Sequence, residues 1–271
     1  VDARHKAGHD GAVQLTNDIL YDLRDGIAYV TLNRPQARNA LTFEMYEALF
    51  DIATRAATDA NVAAIVVSGA GDKAFAAGTD IAEFRAIKIP ADALAYESKI
   101  DRILGALESC PKPIIAAIFG ACTGGGAAIA ACCDLRIATA DMRFGFPIAR
   151  TLGNCLSMGN YARLCMLFGP ARTKELIFTA RLMGAEEAKS AGFISEILAD
   201  HNALIKRAHE LAALVAGHAP LTLSATKEAL RRLAAQAPDG DELITQCYMS
   251  DDFREGMSAF LEKRAPKWQG R

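Results

Sequence analysis

The chain has 271 residues, 51% of them hydrophobic, and 30 Lys+Arg against 32 Asp+Glu leave a formal net charge of -2. That length allows one large domain, or one and a half, with a sizeable core. Acid and base are interspersed, which argues against a nucleic-acid stripe or a polybasic membrane patch, and no apolar run approaches the roughly 20 residues of a membrane span.

The polar opening VDARHKAGHDGAVQLTND holds His5 and His9 and has no apolar centre, so it does not read as a signal peptide. Residues 1–17 are expected to form a flexible arm. Ile19 to Leu32 places two apolar runs around Asp25-Gly26, a hairpin signal. Thr42 is placed to cap a helix that runs to about Thr58, with Met45, Leu49, Ile52 and Ala53 on one face. Val62 to Ser68 reads as a buried strand, and strand–helix–strand implies a parallel sheet with a right-handed crossover.

A glycine-rich turn, Gly69 to Lys73, leads into the small-residue stretch Ala74 to Ile81. Pro90 to Ser109 reads as a helix. Pro113 to Ile118 then reads as a buried strand, followed by Gly124-Gly125-Gly126 and the small apolar run Ala127 to Cys133. The parse is strand, glycine turn, buried helix, and the free N–H groups of that helix's first turn suit an anion or a developing oxyanion. Further strands are expected over Asp134–Ala140 and, irregularly, Met142–Pro147. Leu156 to Phe168 is helical up to Gly169-Pro170, Thr173–Thr179 and Ala185–Ser190 are short helices, and Gly192–Leu198 is an extended link. Three helical segments, near 202–217, 220–236 and 241–262, close the chain. The fold class is α/β, with a core over 18–200 and a helical region over 201–271. His201, His209 and His218 lie on that tail and are expected to be solvated.

Seven cysteines, Cys110, Cys122, Cys132, Cys133, Cys155, Cys165 and Cys247, include no CxxC pair, so a zinc or dithiol site is not indicated. An odd number without a secretory signal fits reduced thiols and a cytoplasmic location.

Taken in order and spacing, several motifs resemble the enoyl-CoA hydratase/isomerase family, the crotonase superfamily. They are Arg34-Pro35 with Asn39-Ala40-Leu41, Phe75-Ala76-Ala77-Gly78-Thr79-Asp80-Ile81, Gly124-Gly125-Gly126 with Cys133-Asp134, and Phe144-Gly145-Phe146-Pro147. The resemblance covers roughly residues 18 to 265. It implies a core of repeated ββα units, a C-terminal helical trimerisation region, homotrimers or dimers of trimers, and an acyl-CoA thioester as substrate, with no separate cofactor and no metal. By motif position, the N–H groups of Thr79 and Gly125 would hold the thioester oxygen. The CoA end would lie along the Arg34–Arg38 turn and the backbone of Ala74, Phe75 and Ala76, with Arg38 placed to meet a phosphate. Asp80 adjoins the Thr79 donor and, by the family's pattern, caps the next helix.

The chain departs from the family at its chemistry. The hydratases of the family use two glutamates, one two residues after the glycine triplet and one directly after the FGxP proline. Those positions are Ala128 and Ile148 here, and neither side chain carries a proton. The segment Pro147 to Cys155 also resembles the superfamily's aryl-CoA dehalogenases, with Cys155 where their nucleophilic aspartate follows Gly-Asn. A helix expected to start there would favour its thiolate; packing as a small hydrophobe is the plain alternative. Arg150 and Asn154 are further polar candidates. Besides hydration, the readings left open are another thioester reaction (isomerisation, decarboxylation, hydrolysis or C–C cleavage) and a catalytically silent CoA-binding subunit.

Overall fold

The computed structural model describes residues 16–234, 246 and 249–271. His5, His9, Cys247 and most of the arm fall outside these residues, as does most of the expected helix before Ser250. The Asp25-Gly26 turn has positive φ at both positions and joins β1 (Ile19–Arg24) to β2 (Ile27–Leu32), the two-residue hairpin that the sequence announces. The Thr42 hydroxyl accepts from the Met45 N–H and starts α1 (Phe43–Thr58). After it come β3 (Ala64–Gly69), β4 (Ala74–Ala76), a 3-10 turn over Ile81–Ala86, and α2 (Pro90–Ser109).

The Pro113–Cys133 stretch differs from the expected parse. Between β5 (Ile114–Ile118) and α3 (Gly125–Cys132) stands another strand, β6 (Ala121–Thr123). Gly120, at φ 53, reverses the chain with its Cα against the Lys73 carbonyl, and β6 leaves the first sheet for a second one. Three residues carry too little periodicity to reveal such a strand. The same manoeuvre recurs with β7 (Leu135–Thr139) and β8 (Arg143–Gly145), followed by the short α4 (Ile148–Thr151). The core is therefore three strand–strand–helix units: β3–β4–α2, β5–β6–α3 and β7–β8–α4. Their first strands join a six-stranded sheet in the order β1-β2-β3-β5-β7-β10, and their second strands a four-stranded sheet in the order β4-β6-β8-β9. The pairs β3·β5, β5·β7, β4·β6 and β6·β8 are parallel.

Helix α5 (Met158–Thr179) bends at Gly169-Pro170, where Gly169 takes φ 74, in line with the break expected there. Then come β9 (Met183–Gly184), α6 (Ala185–Ser190), β10 (Glu196–Leu198), α7 (His201–Ala216), α8 (Pro220–Ala234) and α9 (Asp251–Glu262). The extended link over 192–198 thus ends as a strand, β10, paired in parallel with β7.

β3 and β5 are buried along their whole lengths because both faces of the large sheet are covered. Ile65 and Val67 face a core shared with α1, α2 and α3, whereas Ala64 and Val66 face a second core closed by Leu204, Ala208 and Ala212 of α7. The first helix after residue 200 therefore shares a core with the sheet. His201, at its start, is only partly exposed: its ring packs edge-on against Phe119, and its Nδ1 is buried. His209 is exposed but bonds the Tyr29 hydroxyl. A Lys227–Asp134 ion pair of 2.7 Å fastens α8 to the end of α3. No helix among the described residues is long and apolar enough to cross a membrane.

Candidate active site

The second strands matter because they end at one place. β4 runs into Ala77-Gly78-Thr79 and β6 into Gly124-Gly125, and the parallel pairing of the two strands sets these exits side by side. The approach is close. A β-carbon at Gly126 would overlap the Ala76 carbonyl oxygen and lie 2.6 Å from the Ala76 β-carbon. One at Gly125 would overlap the Tyr46 hydroxyl, and one at Gly124, which has φ 52, would lie 3.4 Å from the Gly78 Cα. The glycine triplet is a packing requirement as well as a turn.

Two main-chain donors are left over at this junction. Leu41 bridges the Gly78–Asp80 segment in parallel fashion. Its N–H donates to the Gly78 carbonyl and its carbonyl accepts from the Asp80 N–H, both at 2.8 Å, so the Thr79 N–H points to the opposite side. Gly125 is the first residue of α3, so its N–H has no acceptor within the helix. Neither amide meets a protein acceptor among the described residues. Both residues line one cavity of about 130 Å³.

Side chains from four other segments complete that cavity. α1 contributes Tyr46, α2 contributes Tyr96, Glu97 and Ile100, α4 contributes Ile148 and Thr151, and the loop before α5 contributes Asn154 and Leu156. Three hydroxyls form a chain, with Tyr46 Oη 2.9 Å from Thr79 Oγ1, and Thr79 Oγ1 3.1 Å from Tyr96 Oη. Burial pushes both tyrosines above the usual phenol range, so they are neutral hydrogen-bonding groups. Ala128 and Ile148 also line the cavity, both buried, and give it alkyl surface. Glu97 is the one carboxylate among the described lining residues. Burial first, then the neighbouring Asp101 charge, hold its pKa above the ordinary glutamate value, while a bond from the Ser157 N–H pulls it back.

The remaining candidates take varied places. Arg34 is mostly buried, and its Nη1 donates to the Ala40 carbonyl at 2.7 Å and to Asp80 Oδ2 at 2.8 Å. Asp80 in turn accepts from the Ala82 N–H, capping the 3-10 turn, and these bonds hold its carboxyl below the usual range. Arg38 is exposed, at φ 51, and its carbonyl accepts from the Ala77 N–H, which fixes the turn beside the end of β4. Ala74, Phe75 and Ala76 are buried in β4. Asn39, wholly buried at φ 55, accepts from the Arg34 N–H and donates to the Ala70 and Ala74 carbonyls, so one side chain locks the Arg34–Arg38 turn to the floor of the site. Cys155 is exposed on the loop before α5 and is not among the lining residues. The helix after it starts two residues later than expected, at Met158, capped by Ser157.

Sequence reading missed Tyr46, Tyr96 and Glu97. A weak signal existed for the last two, since Tyr96, Glu97 and Ile100 share a helical face. Nothing in α2 alone said that this face looks onto Thr79.

The enoyl-CoA hydratase/isomerase family model matches residues 22–271. The chain belongs to that family. YngF of Bacillus subtilis is 36% identical over 261 residues, covering 94% of this chain and 99% of YngF. The short-chain-enoyl-CoA hydratase of Clostridium acetobutylicum is 32% identical over 253 residues, covering 92% and 96%. The crystal structure of an enoyl-CoA hydratase/carnithine racemase from Magnetospirillum magneticum superposes with a TM-score of 0.87 at 31% identity, covering 96% of this chain and 99% of that one. As a member of the enoyl-CoA hydratase/isomerase family, the chain is an acyl-CoA enzyme with the family's fold, and the resemblance carried by its motifs holds over nearly its whole length.

Proposed function

We propose that this family member binds an acyl-CoA thioester with its carbonyl oxygen between the Thr79 and Gly125 N–H groups, and that it works on the enolate formed there by chemistry other than hydration. The observation that carries the reading is a pair of unused amides in a cavity whose two hydratase positions, Ala128 and Ile148, are alkyl. Fixed donors of this kind typically contribute about 2.7–4 kcal/mol each when charge develops on the oxygen. They move no proton, and hydration needs one taken from water and one delivered to carbon. Each absent acid or base typically forfeits about 10²–10⁴-fold.

On the CoA side, the exposed Arg38 turn, anchored to Ala77, suits a phosphate, and β4 presents its backbone alongside. Arg34 and Asp80 support this reading by holding the turn rather than by touching ligand. Cys155 lies outside the cavity lining, so Cys155→Ala should leave turnover unchanged. The reading extends to assembly as a trimer or dimer of trimers, because α8 exposes Leu230 and Leu233 at 59% and 58%. Light scattering at micromolar concentration tests that part, and a monomer refutes it.

Two measurements test the site. Calorimetry with butyryl-CoA should show binding; no heat with any acyl-CoA would sink the reading. With four-carbon 2-enoyl-CoA, loss of the conjugated absorbance should fall far below the roughly 1–10³ per second of ordinary enzymes. A rate inside that range would mean that the hydration groups lie elsewhere.

A further inference from the structure

We propose that Glu97 is the group that takes up and returns the proton on the acyl carbons of a thioester held at Thr79 and Gly125. The assignment rests on the reading of the site given above, and it names the residue that stands in for the two absent carboxylates.

The geometry starts with α2. Residues 96, 97 and 100 lie on one turn-to-turn face of that helix, and all three line the cavity that holds both amides. Tyr96 reaches the Thr79 hydroxyl. Glu97 is the next residue along, half-buried, and the one carboxylate among the described lining side chains. Its position is built. Ser157 caps α5 through its hydroxyl, sets its amide beside Glu97, and gives the same hydroxyl to Asp101 Oδ1 at 2.7 Å. The loop before α5 is thereby tied to α2 at the point where Glu97 enters the cavity.

The charges around Glu97 leave it ready to accept a proton. Asp101, one helical turn on, acts on it from α2, the neutral phenol of Tyr96 stands beside it on the same helix, and the neutral phenol of Tyr46 on α1 lines the same cavity. From the α5 side comes the Ser157 amide. Arg163, the nearby cation on α5, is spent on Glu108 at 2.7 Å and on Asp101 at 3.4 Å. A carboxylate in a desolvated setting beside a like charge is a stronger base than one in water.

The step balances with groups present. The α C–H bond breaks, its proton passes to a Glu97 oxygen, and its electron pair forms the enolate double bond as the carbonyl pair moves onto the oxygen facing Thr79 and Gly125. Return of the proton to the same carbon is exchange. With a β,γ-unsaturated acyl group the electron pair spreads over a dienolate, and return of the proton at the γ-carbon moves the double bond. One carboxyl suffices for either outcome, with no water, oxidant or second acid. The class of substrate is thus a short acyl thioester with an acidic α-hydrogen, converted by a proton shift.

The test is α-hydrogen exchange of butyryl-CoA in D2O, read by mass spectrometry, alongside calorimetric binding of the same compound. Wild type should bind and exchange. Glu97→Gln should bind within about twofold and exchange about 10²–10⁴-fold more slowly, and Glu97→Asp should recover part of the loss. The wild-type rate should rise with pH through one ionisation above the ordinary glutamate range, and that ionisation should vanish in Glu97→Gln. Exchange by Glu97→Gln within threefold of wild type overturns the assignment while leaving the site reading intact, and so does a wild type that binds without exchanging. A wild type that binds no acyl-CoA overturns the site reading, and the assignment with it. Should Glu97→Gln fail to fold by circular dichroism, Glu97→Asp decides: an unchanged rate and pH profile in that variant overturns the assignment.

Discussion

At the floor of the cavity Thr79 and Gly125 offer main-chain N–H groups, set by strand pairing and close glycine contacts. On the wall facing them, Tyr46, Tyr96, Ile148 and Glu97 offer side chains from α1, α2 and α4. The floor offers main-chain donors, which every residue but proline can supply, although its close approaches require the glycines. The wall answers to residue identity, so it can change its chemistry while the floor stays fixed. In this chain Ala128 and Ile148 give it alkyl surface.

The sharpest break of the floor is Gly126→Ala. Its new methyl would meet the Ala76 backbone, which cannot swing aside, and overpacking against main chain is expected to cost about 3 kcal/mol or more. Urea unfolding measures it, and a loss below 1 kcal/mol would mean that the two glycine exits are not rigidly apposed.

Gly125→Ala tests floor and wall together. The methyl collides with the Tyr46 hydroxyl, so α-exchange of butyryl-CoA should fall about 10²–10³-fold as the amide is displaced. Beyond that hydroxyl the nearest atoms lie 3.2 Å away, so Tyr46→Phe combined with Gly125→Ala should recover most of the loss. Equal defects in the single and double variants would rule out the collision as the cause.

Asn39→Ala probes what joins the Arg34–Arg38 turn to the floor. It strips partners from the Ala70 and Ala74 carbonyls and the Arg34 N–H, and leaves a β-branch-free residue at φ 55. A loss of about 2 kcal/mol is expected, with weaker butyryl-CoA binding. Unchanged binding would detach the Arg34–Arg38 turn from the ligand.

The smallest effect belongs to the wall. Glu97 has its pKa raised in the folded chain, so above the ordinary glutamate value of 4.5 the folded state holds more proton than the unfolded one. Stability then falls as pH rises through that interval. Glu97→Gln lacks this loss. It should be more stable than wild type at pH 7 by less than about 1 kcal/mol, because the group is half solvated, and the gap should close near pH 4. A variant less stable at pH 7 would identify Glu97 as a structural clasp for Ser157.

Local patterns determined much of this protein. Asp25-Gly26 fixes its hairpin, Thr42 caps α1, Gly169-Pro170 bends α5, and the small-residue stretches at 74–81 and 124–133 carry the donors, because turn conformation, capping and helix-end amides depend on a few consecutive residues. The same stretches sufficed for the family resemblance. The alkyl side chains of Ala128 and Ile148 were also legible, since they are a matter of identity at two positions. What only the tertiary structure decided lies across the chain. β6, three residues long, exists because β4 and β8 flank it. Arg34 is occupied because Asp80, 46 residues away, meets it. Glu97 and Thr79 line one cavity because α2 lies beside the exits of two strands, and burial and Asp101 raise the Glu97 pKa. Such placements arise from pairing and packing between distant segments, and no window of consecutive residues contains them.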